Sequence, residues 1–180
     1  MTAETNPCRV LLLSDTHGQL HPAIMCIAKD VQYIVHAGDV GHPGILDQLG
    51  ACRAQLVVVR GNNDTPSKWP DGCAHVLSRL DDRADLALPG GELAVEHGHR
   101  ANPVARRHAQ LRSRHPQARL IVYGHSHRQL IDDADTPWVV NPGAAGRSRT
   151  YGGSGCIVLS AGVDRWDLQA FQFSLAGWKT

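Results

Sequence analysis

The sequence predicts an α/β fold with a mixed sheet system, either a single sheet or two packed together. Three features carry this reading. Buried-looking β runs alternate with helical segments in the first half, paired strands around tight turns fill the second, and Asp, Asn or His beside glycine follows one strand after another. The runs RVLLLS from Arg9, VQYIVH from Val31, QLVVVR from Gln55 and RLIVYG from Arg119 are nearly continuous in apolar character, as expected of strands buried on both faces. Between the first three lie HPAIMCIAKD and HPGILDQLGAC. Pro22 and Pro43 stand near their starts, where proline's fixed φ suits a helix and its missing N–H is not needed. That alternation describes βαβ units and hence parallel strands.

The rhythm then changes. ADLALPGGELAVEHG reads as two strands around Pro89-Gly90-Gly91, RQLIDDADTPWVV as two more around a polar turn, and GCIVLSA with WDLQAFQF as a pair turning at Gly162 to Asp164. NPVARRHAQLRSRH supplies one longer helix, with Arg106, Arg107, Arg112 and Arg114 expected on its solvated face. At 180 residues and 42% hydrophobic content the chain can fill one core, and no repeat or linker divides it, so residues 1–180 are read as a single domain.

The formal charge of +1 (18 − 17) shows no nucleic-acid or membrane footprint and leaves small or polar partners open. Five cysteines, scattered and without a C-x-x-C pair, argue against a disulfide framework. The first apolar run is too short to span a membrane and lacks a basic leader, so the expected setting is soluble, reducing and cytoplasmic. The tail DLQAFQFSLAGW either closes the core or forms a homo-oligomer interface.

Five strand ends carry polar clusters: Asp15-Thr16-His17-Gly18, Gly38-Asp39, Gly61-Asn62-Asn63-Asp64, Glu96-His97-Gly98-His99 and Gly124-His125-Ser126-His127. Singly each is an ordinary turn, since a lone D-x-H is usually a loop with a surface histidine and Asp39 could cap a helix. Together they are different, because parallel strands present their carboxyl ends to one crevice. Several carboxylates buried there would each cost several kcal/mol unless a cation balanced them. Imidazole, carboxylate and amide oxygen without thiolate suit Mn, Fe, Zn or Co better than an all-oxygen cage. His125 and His127, two apart, would project from one side of a strand about 6.6 Å apart, within reach of one ion or two.

The ordered set DTHG, GD, GNND, EHGH and GHSH, followed by NPG at Asn141, resembles the calcineurin-like metallophosphoesterases. The likeness runs from about Val10 to Phe173 and is strongest to the small bacterial and archaeal phosphodiesterases that share the fold of the retromer cargo-recognition subunit. It implies a two-sheet β-sandwich flanked by helices, the four-layer αββα arrangement. It further implies two divalent ions, Mn2+ first and Fe, Zn, Co or Ni as alternatives. Asp15, His17, Asp39 and His127 would hold one ion; Asp39, Asn62, His97 and His125 would hold the other, with Asp39 bridging. The implied reaction is hydrolysis of a small phosphodiester or nucleotide by in-line attack of a dimetal-activated hydroxide. A phosphomonoesterase, or a non-catalytic interaction scaffold of the same fold, is the alternative.

One departure stands out: Asn63 occupies the place where many larger members carry a histidine, and an amide cannot act as an acid at neutral pH. Aryl or nucleoside leaving groups are therefore expected to be handled best. His99 is the candidate compensating group beside Asp39 and Asn62 in catalysis, its alternative being a bond to a loop carbonyl. Asp64 and Asn141 are expected to brace turns. Arg147 and Arg149 in GRSRTYGG either meet a phosphate or belong to a solvated loop; Trp69 lines the rim or packs inside; His36 is structural.

Overall fold

The computed structural model describes residues 6–176 and residue 178. The first half forms β1 (Cys8–Leu13), α1 (Pro22–Ala28), β2 (Tyr33–His36), α2 (Pro43–Gly50) and β3 (Gln55–Val58), as the alternation predicts. Pro22 and Pro43 open their helices. The histidine before each acts as N-cap: His21 Nδ1 accepts from the N–H of Ala23 and His42 Nδ1 from that of Gly44 (3.2 and 3.0 Å). Each cap satisfies an amide that the first helical turn leaves unpaired. Both histidines have no sequence-assigned role.

The second half contains α3 (Ala74–Leu77), β4 (Arg83–Leu88), β5 (Gly91–Glu96), α4 (Arg107–Arg114), β6 (Leu120–Val122), β7 (Leu130–Asp132), β8 (Trp138–Asn141), β9 (Ser154–Ala161) and β10 (Trp166–Phe173). All three expected strand pairs form antiparallel ladders. The single turn α3 is an addition, and the predicted longer helix opens with a 3-10 turn at Val104–Arg106 before α4 begins.

The strands make two five-stranded mixed sheets, in the orders β10-β9-β1-β2-β3 and β4-β5-β6-β8-β7. In the first, β1, β2 and β3 are parallel; in the second, β5, β6 and β8 are. Alternation along each strand decides what lies between the sheets. Val10 and Leu12 of β1, with Val35 of β2, meet Leu93, Val95, Leu120, Val122 and Val140 of the second sheet in a core between the layers. Leu11, Leu13 and Ile34 point the other way, onto Ile24, Ala28, Ile45 and Leu49 of α1 and α2. Ala94, Ile121 and Val139 meet Leu111 of α4. The layers therefore run helix, sheet, sheet, helix.

Two expectations are corrected. β3 is not buried on both faces: it is an edge strand, with Gln55 exposed and Leu56, Val57 and Val58 half-buried. The arginines of α4 are not a solvated face, because only Arg106 is exposed and the others turn toward the second sheet. Arg107 is buried and donates to Ala101 O (3.2 Å), Arg112 pairs with Asp132 (3.0 Å) and Arg114 with the buried Glu96 (2.7 Å). His108 and His115 add bonds to Asp132 and Glu96 (2.6 and 3.2 Å), so polar pairs help dock α4.

Candidate metal centre

All five polar clusters leave the carboxyl ends of parallel strands. Those after β1, β2 and β3 come from the first sheet and those after β5 and β6 from the second, so the site straddles the seam between sheets. Backbone bonds lock the first two loops together: the N–H groups of Asp15, His17 and Gly18 donate to Gly38 O, Asp39 O and Val40 O (2.9, 3.0 and 2.7 Å). Between the sheets, the N–H of His125 donates to Asp15 Oδ2 (3.0 Å) and His97 Nδ1 donates to Ala37 O (2.7 Å).

The seven side chains expected to hold metal meet here. Asp15, His17 and His127 offer ligand atoms within 4.8 Å of one another, and so do Asp15, Asp39 and His97. His17 Nε2 lies 3.2 Å from His127 Nε2 and 3.8 Å from Asp39 Oδ2. His97 Nε2 lies 3.4 Å from the same Asp39 oxygen and 3.2 Å from Asn62 Oδ1, which His125 Nδ1 approaches at 3.0 Å. Asp39 thus stands between the two expected groups. Asp15 belongs to both close groupings, so its position also suits a shared role.

The donor set fits cations. Asp15 and Asp39 are 0% and 1% exposed, and among the described residues their close charged partners are histidines rather than Lys or Arg. Burial pushes the Asp39 carboxyl up, but hydrogen bonds from His97 and Asn63 outweigh it and hold the group well below the usual carboxylate range. Burial opposes charge on His97 and His127 as well, yet the aspartates beside them raise both imidazoles. His17 and His125 go down, chiefly through burial. With Nδ1–H of His97 on Ala37 O and Nδ1–H of His127 on Ser148 O (2.9 Å), both Nε2 atoms face the carboxylates, where a cation would take the place of the proton.

The backbone is equally specialised. Among the described residues, the non-glycine residues with left-handed φ are Asp15 (52°), His17 (46°), Asp39 (56°), His125 (67°), His127 (58°) and Arg149 (53°). Such positions cost about 1–2 kcal/mol each and persist where surrounding structure fixes them. Extended-strand spacing therefore does not describe His125 and His127: β6 ends at Val122, and both imidazoles are aimed by a tight loop. Glycine is needed where loops touch. A Cβ on Gly61 would lie 2.2 Å from Asp39 N and Oδ1, and one on Gly38 2.8 Å from His97 Nδ1.

The supporting residues act as expected. Asp64 accepts from the N–H of Val40, Gly41 and Gly61 and from Trp69 Nε1 (3.1, 2.9, 2.9 and 3.0 Å), tying the Asp39 and Asn62 loops together. Trp69 itself is buried in the core under the helices. Asn141 donates to Gly124 O and Ser126 Oγ (2.7 and 3.0 Å), holding the GHSH loop. His36 is buried and neutral: its Nδ1 accepts from Gly38 N–H and its Nε2 donates to Thr16 Oγ1 (3.2 and 2.9 Å).

His99 borders the centre, its ring 5.5 Å from that of His97, with a buried Nδ1 that has no partner among the described residues. It shares an open cavity of about 310 Å3 with Asn62, Thr65, Arg60, Arg100 and Asp82. Sequence reading missed two neighbours. Ser14 Oγ donates to Asp15 Oδ2 (2.7 Å), and Lys68 Nζ donates to Asn63 Oδ1, whose amide in turn donates to Asp39 Oδ2 (2.5 Å). Arg149, inseparable from Arg147 by sequence, reaches His127, whereas Arg147 lies over Trp178.

Fold and site together define a phosphoesterase architecture. The chain belongs to the calcineurin-like phosphoesterase superfamily, whose domain model matches residues 8–162. It is 21% identical to the phosphodiesterase MJ0936 of Methanocaldococcus jannaschii over 142 residues, 75% of this chain and 82% of that protein. Its fold matches Vps29 of Chaetomium thermophilum with a TM-score of 0.74 at 13% identity, covering 93% of this chain and 88% of the other. Vps29 of Entamoeba histolytica, solved in complex with zinc, matches with a TM-score of 0.67 at 16% identity, over 92% and 99%. Membership implies a hydrolase using divalent metal ions. No helix among the described residues is long and apolar enough to cross a membrane.

Proposed function

We propose that the chain is a cytoplasmic, metal-dependent phosphodiesterase acting on a small phosphodiester or nucleotide, with two Mn2+ ions as its working cofactor. One observation carries the reading: seven oxygen and nitrogen donors from five strand ends converge around two buried carboxylates. Asp15, His17, Asp39 and His127 would hold one ion and Asp39, Asn62, His97 and His125 the other. When bound, such a pair supplies concentrated positive charge and lowers the pKa of water at the site.

The protein residues have separate tasks. Asp39 stays ionised, and the carbonyls of Ala37 and Ser148 keep the Nε2 atoms of His97 and His127 directed inward. His99, with its ring 5.5 Å from that of His97, borders the side assigned to the leaving group, where Asn63 cannot act as an acid. Lys68 leaves an ammonium on Asn63 at that side. The cavity beside Asn62 and His99 is of the size that lodges a nucleoside-sized arm. No protein nucleophile is required.

The test is a panel of phosphate monoesters, diesters and cyclic nucleotides with Mn2+-reconstituted protein. Activated diesters should turn over fastest, and Asp39→Asn should abolish turnover. Preference for monoesters would make the protein a phosphomonoesterase. No turnover of an activated diester by the manganese-loaded protein, with a stable partner in pull-down, would leave the scaffold reading.

A further inference from the structure

We propose that Arg149 is the phosphate-gripping residue of this centre, released from His127 when a cation takes that imidazole's lone pair. The inference rests on the phosphodiesterase reading and names how its anionic substrate is recognised. Arg149 Nη2 lies 3.3 Å from His127 Nε2. His127 Nδ1 is committed to Ser148 O, so Nε2 is the nitrogen that faces the centre, 3.3 Å from Asp15 Oδ1 as well as from the guanidinium. A cation bound at His127 needs the Nε2 lone pair and leaves the guanidinium no partner there.

Arg149 cannot solve the conflict by losing its proton, since guanidinium stays charged. Its N–H then lacks an acceptor and its charge faces that of the cation. A phosphate at the centre resolves both, offering several anionic oxygens to a planar fork of donors. The guanidinium is also placed rather than loose. Arg149 has the left-handed backbone shared by Asp15, His17, Asp39, His125 and His127. Its loop is pinned by His127 on Ser148 O, by Ser154 Oγ on Gly146 O (2.8 Å) and by Gly155 N–H on Ala144 O (2.8 Å). The neighbouring arginines are occupied elsewhere. Arg147 lies 5.4 Å from the centre of the Trp178 ring and Arg128 4.4 Å from that of Tyr151.

The experiment titrates the full chain in two stages by calorimetry, first with Mn2+ and then, when loaded, with inorganic phosphate. Wild type, Arg149→Ala, Arg149→Lys and Arg147→Ala are compared. Arg149→Ala should bind Mn2+ with unchanged stoichiometry and at least equal affinity, yet bind phosphate about tenfold or more weakly. Arg149→Lys should recover part of the loss, and Arg147→Ala should match wild type. Unchanged phosphate affinity in Arg149→Ala overturns the assignment. So does an equal loss in Arg147→Ala, which would reduce the effect to general charge. Loss of Mn2+ binding in Arg149→Ala overturns it too, making the residue a support for the His127 loop. Failure of wild type to take up Mn2+ in the first stage would instead remove the metal-dependent reading beneath it.

Discussion

Replacing Asp64 with asparagine removes one carboxylate oxygen without changing side-chain size. Each Asp64 oxygen serves two donors: Oδ1 accepts from Gly41 N–H and Trp69 Nε1–H, Oδ2 from Val40 N–H and Gly61 N–H. In either orientation, the introduced amide keeps one pair and turns its own N–H2 toward the other. Two bonds to a buried, charged acceptor are lost. At about 1.5–3 kcal/mol each, the expected destabilisation is about 3–6 kcal/mol, a large part of an ordinary domain's stability. At roughly 2–4 °C per kcal/mol for this chain length, melting should fall by about 6–24 °C. Urea and thermal unfolding of metal-free protein measure the effect without a cation's contribution. Protein that remains folded should also lose Mn2+ affinity, since the loops bearing Asp39 and Asn62 are the ones untied. A cost below about 0.5 kcal/mol, the range of ordinary surface changes, would refute the reasoning.

His36 makes stability depend on pH. Burial holds its imidazole down to about 4 in the fold, whereas an unfolded chain accepts the proton near 6.5. Its contribution is complete above about 6.5 and is lost as pH falls to about 4, roughly 3 kcal/mol in all. Urea denaturation of metal-free His36→Gln should show a flatter decline across that window than wild type; parallel curves would exclude the linkage. Gly61→Ala should abolish Mn2+ uptake, because its Cβ meets Asp39 N and Oδ1 at 2.2 Å, and wild-type affinity by calorimetry would show that the loops can separate without loss. Lys68→Ala should slow alkyl diesters more than aryl diesters, by about tenfold in relative kcat, if the ammonium on Asn63 assists the leaving oxygen. Equal slowing of both would exclude that role.

Much of this architecture was legible because strands and hairpins write themselves as short-range periodicity and glycine-rich turns. The clusters at their ends were legible as a set, since both sheets aim their parallel strands at the same place. What sequence concealed was geometry that residue type does not encode. Asp15, His17, Asp39, His125 and His127 carry side chains, and nothing local announces their left-handed backbone. A strand-like reading of His125 and His127 consequently misdescribed the loop that aims them. The arginines of α4 looked like a solvated face because their acceptors, Asp132 and Glu96, lie on strands far away in sequence. Arg149 differs from Arg147 only through its contact with a histidine 22 residues earlier. The turn α3 is too short to display a helical period.

The position of the centre on the seam has a mechanical corollary. Asp15 and Asp39 are rooted in one sheet and His97, His125 and His127 in the other, so an ion gripping both sets is a rivet through the whole sandwich. Prying the layers apart would rupture coordination before either layer frayed. Resistance to force or protease in the loaded protein should then rise across both halves of the chain at once, and not merely around the loops that touch the ion.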